Sequence, residues 1–112
     1  MRDRTASLSI PQGVKKAVAA RDSVAGHPCC ILCGRPSPTD YPLAFSCAHY
    51  ISRAQGGLGI EENILTLCPT CHRQYDATPL REAYRPILAR YLREHHAGWR
   101  EENLTYKKED RT

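Results

Sequence analysis

Apolar positions in this chain gather into short blocks of different period, set apart by glycine and proline. The first block has helical spacing. Val14, Ala17, Val18 and Arg21 share a face, behind Ser9 as N-cap and Pro11 in the first turn, and Gly26 is the expected stop. Residues 29–34 form a tight cysteine turn, and residues 35–42, RPSPTDYP, hold three prolines and read as loop. Residues 43–52, LAFSCAHYIS, predict a strand. Residues 53–60 carry three glycines and cannot extend it, and Gly56 with Gly57 permits positive φ or close backbone approach. Residues 61–63 turn the chain into a second strand at 64–67, so the two strands form a hairpin with a long connection.

The period then returns to helical. Pro69 opens a helix carrying Cys71, His72, Tyr75 and Asp76, and His72 and Asp76, four apart, lie on one face of it. After a break at Thr78-Pro79, Leu80, Tyr84, Ile87, Leu88, Tyr91, Leu92 and His95 follow helical spacing. Pro86 falls inside this run, so the helix starts there or kinks there. Gly98 closes it, and Trp99 and Leu104 fold back on the core. The resulting organisation is α+β: a flexible tail at 1–8, one domain at 9–106, and a flexible tail at 107–112, with no internal repeat and no low-complexity segment.

Composition qualifies this picture. The chain has 112 residues, 41% of them hydrophobic, and its mean hydropathy is −0.54. A core of this size is marginal alone, and a structural metal is a natural supplement. A net charge of +4 mildly favours a polyanionic partner. The first ten residues lack the apolar centre of a signal peptide, and no apolar run approaches the roughly 18 residues of a membrane span. These features predict a cytoplasmic protein, in which six cysteines serve as ligands rather than disulfides.

Four of the six form two matched pairs, Cys30-x-x-Cys33 and Cys68-x-x-Cys71, the spacing of a tetrahedral four-sulfur zinc site. Cys29 rivals Cys30 as a ligand, the matched spacing favouring Cys30, and Cys47 reads as a small buried hydrophobe. His27, His95 and His96 read as ordinary surface or helix-end histidines.

Between and beside the pairs stand Ala48-His49-Tyr50, Arg53-Ala54-Gln55-Gly56-Gly57, Glu62-Asn63-Ile64-Leu65, Leu67-Cys68-Pro69-Thr70-Cys71-His72 and Tyr75-Asp76. Over the core motif, residues 28–77, this resembles the HNH endonuclease family in its four-cysteine form. A looser likeness to small phage and prophage HNH proteins covers the N-terminal helix and the Trp99 region. The resemblance implies a ββα-metal domain with flanking helices and a structural four-cysteine zinc. It implies His49 as general base, Asn63 as the residue that braces the segment of the base, and His72 and Asp76 as ligands of a catalytic divalent ion. That ion is Mg²⁺ or Mn²⁺, with Ni²⁺, Co²⁺ or Zn²⁺ also compatible with a His and carboxylate set. Many relatives carry Asp or His just before the base, where this chain has Ala48.

The implied activity is hydrolysis of DNA phosphodiester bonds, by nicking or double-strand cutting as a monomer or a dimer. Arg53 and Arg73 are the expected phosphate contacts on duplex DNA, with Arg81, Arg85, Arg90, Arg93, Lys15 and Lys16 extending the footprint. In a phage setting the expected partners are subunits of the packaging terminase, and the location is the bacterial host cytoplasm. Two competing readings stand: a zinc-stapled DNA-binding module with a weak or inactive nuclease site, and an HNH enzyme of defined sequence specificity.

Overall fold

The computed structural model describes residues 7–38 and 45–107. Its elements are helix α1 (Gln12–Arg21), strands β1 (Ser23–Val24) and β2 (His27–Pro28), strand β3 (Ser46–His49), strand β4 (Ile64–Leu67), helix α2 (Pro69–Ala77) and helix α3 (Leu80–His95). Short 3-10 turns cover Arg53–Gln55, Glu61–Asn63 and Glu101–Asn103. β3 and β4 pair antiparallel with Ser46 opposite Leu67 and His49 opposite Ile64, the expected hairpin. The mixed helix and strand architecture with short antiparallel sheets is the α+β fold read from the sequence. Among the described residues no helix is long and apolar enough to cross a membrane.

β4 is buried at all four positions, because helices cover both faces of the hairpin. Alternation sends Leu65 and Leu67 to one face, with Ala48, where they join Cys68, Cys71, Tyr75, Leu88, Leu92 and Leu104 in the main core. Ile64 and Thr66 face the other way, toward α1, where Val18 is fully buried. The outer edge of β4 is sealed as well. Asp22 Oδ2 accepts from Thr66 N at 2.9 Å, Arg21 Nη2 donates to Ile64 O at 2.6 Å, and Ile31 N donates to Thr66 O at 3.0 Å. No backbone group at these points is left for another strand to pair with. Asp22, itself buried, also accepts from Tyr91 of α3 at 2.5 Å, so one carboxylate joins α1, β4 and α3.

Several local expectations change. Pro11, not Ser9, is the N-cap of α1, which ends with Asp22 as C-cap. Gly26 is instead a turn residue: Ala25 (φ 54°) and Gly26 (φ 84°) join β1 to β2, a two-residue connection that requires positive φ twice. The first predicted strand is shorter, Ser46–His49, and positions 43 and 44 lie outside the described residues. α3 runs unbroken from Leu80 through Pro86 to His95, rather than starting at the proline. Of the tail expected at 1–8, residues 1–6 lie outside the described residues, but Ser7 and Leu8 are docked. Leu8 is 2% exposed, and Ser7 O accepts from Gly59 N at 3.0 Å. The expected tail at 107–112 is described only at Lys107, whose Nζ donates to Glu102 O at 2.9 Å.

The fold-back of the C-terminal segment is as expected. Trp99 Nε1 donates to Glu62 O at 2.9 Å and its ring stands edge-on to Tyr50, while Leu104 is buried.

Candidate functional site

The four predicted zinc ligands converge. Cys30 and Cys33 come from the turn after β2, Cys68 is the N-cap of α2 and Cys71 lies in its first turn. Their sulfurs all lie within 4.8 Å of one another. The Cys33–Cys68 sulfur separation is 3.8 Å, against about 3.8 Å for the edge of a tetrahedron with 2.3 Å zinc–sulfur bonds. Cys71 N points at Cys68 Sγ (3.5 Å), the amide-to-sulfur contact that helps hold a thiolate. Gly34 takes φ 77° so that its N–H returns to Cys30 O at 2.8 Å and closes the first cysteine turn. The donor set and spacing therefore suit one structural metal such as zinc. Cys29 is excluded from it: its thiol donates to His27 O at 3.3 Å.

The second group of residues lines a cleft of about 680 Å³ formed by Ile10, β3, the turn after it, and α2. His49, Arg53, His72 and Asp76 all border it, with Cys47 and Arg81. The hairpin register sets His49 at the end of β3, and α2 presents His72 and Asp76 one turn apart, with His72 Nε2 2.9 Å from Asp76 Oδ2. The other nitrogen of His72, Nδ1, meets Ser46 Oγ at 2.5 Å. His49 Nε2 lies 2.9 Å from Leu8 O.

Asn63 does not reach the cleft. It is fully buried, accepts from Ile51 N at 2.8 Å, and donates through Nδ2 to Ile51 O (3.2 Å) and Leu58 O (2.9 Å). Its own carbonyl accepts from Tyr50 N at 2.7 Å. The side chain thus ties both ends of the connection after β3 to the start of β4. The two glycines of that connection divide their work. Gly56 takes φ 85°, while a Cβ on Gly57 would stand 1.7 Å from Ile51 O and 2.9 Å from Asn63 Nδ2.

Residues 30–78 match the HNH endonuclease family. This segment is an HNH domain. Comparison with curated proteins returns no match. The match begins at Cys30 and ends just past Asp76, so the four clustered cysteines, His49, His72 and Asp76 all fall inside it.

Electrostatics within the HNH domain act on His49. Burial pushes the pKa of His49 below the ordinary imidazole value, and the Leu8 carbonyl pulls the other way. Arg53, Asp76 and His72 are the charges that act on it. Burial likewise pushes the Cys47 thiol up, so it stays protonated, and it is half-buried beside the cleft rather than within the core. Ala48 is 1% exposed and offers no ligand atom, and among the described residues only the four cysteines bring three or more ligand side chains together. His72 Nε2 and Asp76 Oδ2 nonetheless stand at the spacing of adjacent donors on an octahedral ion, about 3.0 Å for 2.1 Å bonds.

Arg53 and Arg73 are both exposed beside these residues. Arg53 borders the cleft and Arg73 lies on the shallower surface formed by Ser46, Pro69, His72 and Asp76. Arg81 is differently committed: it donates to Tyr50 O (2.9 Å) and Tyr75 O (3.1 Å) and stands 3.8 Å from Asp76. Arg85 pairs with Glu101. Leu8 and Ser46 were not among the sequence candidates. The Leu8 contact uses a main-chain oxygen, so its identity carries no polar signal. Ser46 lies 26 residues from His72, and only the hairpin register brings it there.

Proposed function

We propose that this protein is a metal-dependent HNH endonuclease that hydrolyses phosphodiester bonds of duplex DNA. The observation that carries this reading is the convergence of His49, His72 and Asp76 on one cleft, within and beside a segment that matches the HNH family. In this reading His49, kept neutral by its half-buried setting, takes the proton of the attacking water. Asn63 holds the connection after β3 and so fixes where His49 stands. His72 and Asp76 would hold one divalent ion, which supplies charge stabilisation for the scissile phosphate and the leaving oxygen. Arg53 and Arg73 contact neighbouring phosphates, which position the duplex without reading bases. With one such cleft among the described residues, a monomer nicks, and cutting of both strands needs two copies.

The test is incubation of purified protein with supercoiled plasmid under Mg²⁺ or Mn²⁺. Conversion to the open-circular form is the expected result for a monomer, and linear product indicates paired action. The reading fails if wild-type protein leaves the plasmid intact across both ions, or if His49→Ala cuts as well as wild type.

A second reading has its own support. Among the described residues only two ligand side chains face each other at the proposed catalytic ion, and Ala48 adds none. A zinc-stapled DNA-binding module with a weak or inactive site fits that pair, and retention of DNA on a gel without cleavage under any divalent ion would favour it. We further propose subunits of the packaging terminase as partners, which the looser sequence resemblance to small phage HNH proteins implies and co-elution with those subunits tests.

A further inference from the structure

The N-terminal residues lie far from the HNH match in sequence, yet they border its cleft. Leu8 O is 41 residues from His49 and sits 2.9 Å from its Nε2. A carbonyl oxygen can only accept, so Nε2 carries the proton, and in the neutral ring Nδ1 is then the nitrogen with the lone pair. Three further contacts hold that carbonyl in place. Gly59 N donates to Ser7 O at 3.0 Å, the Leu8 side chain is buried, and Gly59 meets the next peptide so closely that a Cβ there would stand 1.9 Å from Ser9 O. Ile10 then continues along the wall of the cleft.

We propose that residues 7–10 are a positioning strap, which fixes the tautomer of His49 through the Leu8 carbonyl so that Nδ1 is the basic nitrogen. This rests on the reading of His49 as the general base. The strap acts on the reaction through His49, which its Leu8 carbonyl contacts. Its role explains why a main-chain atom from outside the family match is tied down by Gly59, a residue inside it. Fixing one ring nitrogen as donor is how the orientation and tautomer of a working histidine are set.

The decisive variant is Gly59→Ala. Gly59 is not in the left-handed region, so the backbone does not bar alanine, and the atoms nearest the added methyl are those of the strap, Ser9 O, Ser9 C and Ile10 N. Long-range proton–nitrogen NMR on the zinc-loaded full chain reads which ring nitrogen of His49 carries the proton. The wild type is expected to show the Nε2–H form. Gly59→Ala should show a mixture of tautomers, with kcat on plasmid reduced by tenfold or more and KM for DNA nearly unchanged. A chain lacking residues 1–10 should repeat that split, provided it retains zinc. If it loses zinc, the Gly59→Ala tautomer decides. An Nδ1–H form in the wild type overturns the proposal. So does a fixed Nε2–H form with wild-type kcat in Gly59→Ala. If the wild-type protein cuts no DNA, the nuclease reading fails while the tautomer still reports on the strap.

Discussion

At the scale of the residue, His49 and Asn63 differ in what their loss would do. General-base catalysis contributes about 10²–10⁴-fold, so His49→Ala should lower kcat by that range while leaving DNA retention in a gel shift near wild type. The pH dependence follows from burial. Burial lowers the pKa of His49, the base works only when neutral, and the acidic limb of kcat/KM should therefore fall below the ordinary imidazole value of about 6.5. A limb above that value would contradict the assignment, since the approach of a divalent cation moves it down further. Asn63→Ala instead removes two buried hydrogen bonds and one part-buried one, and leaves Ile51 N, Ile51 O and Leu58 O without that partner. At roughly 1–3 kcal/mol per stranded group, with partial relaxation, a loss of about 3 kcal/mol is expected in urea unfolding. His49, Asn63, His72 and Asp76 could be proposed from the sequence because they fall at the positions of a known family motif. The partners Leu8 and Ser46 could not, because a carbonyl has no residue code and the Ser46 contact exists only once β3 and β4 are paired in register.

Among the elements, the hairpin was legible because residues 64–67 form an apolar run bounded by turn formers, and its burial on both faces explains why that run does not alternate. The end of α1 was not. Gly26 resembles a helix stop in sequence, but Arg21 and Asp22 are spent sealing the outer edge of β4, and the chain leaves the helix there to do so. Gly26 is then free to serve the β1–β2 turn. Pro86 shows the opposite case, where a local preference is overridden. α3 stays continuous through it because Tyr84 before the proline and Leu88, Tyr91 and Leu92 after it anchor both halves to the core. Pro86 itself is exposed and is not part of the apolar core. Pro86→Ala restores an N–H to the helix interior and should stabilise the protein by about 1–3 kcal/mol, read as a higher urea midpoint with unchanged slope. No gain would mean that the helix is already adapted around the proline.

For the whole molecule, the question is what holds a 112-residue chain with a mean hydropathy of −0.54 together. The four cysteines join the turn after β2 to the start of α2, with 34 residues between Cys33 and Cys68, and Cys30, Cys68 and Cys71 are part of the main apolar core. A metal there therefore links the N-terminal third of the described chain to the helix that carries His72 and Asp76. Zinc in four-cysteine sites contributes about 10–16 kcal/mol, while domains of this kind are stable by about 5–15 kcal/mol in total. The two ranges overlap over most of their extent, so removing the ion should take away most or all of the stability and unfold the chain. Purified protein is expected to hold about one zinc per chain. A strong chelator should abolish the helical circular dichroism and any plasmid nicking together, and zinc should restore both. Cys33 is the exposed member of the four, so Cys33→Ser should keep three thiolates and a folded chain at high zinc, yet unfold at chelator concentrations the wild type withstands. A chelated chain that keeps its circular dichroism and loses only nicking would place the ion at His72 and Asp76 instead, and would mean the apolar core alone suffices for the fold.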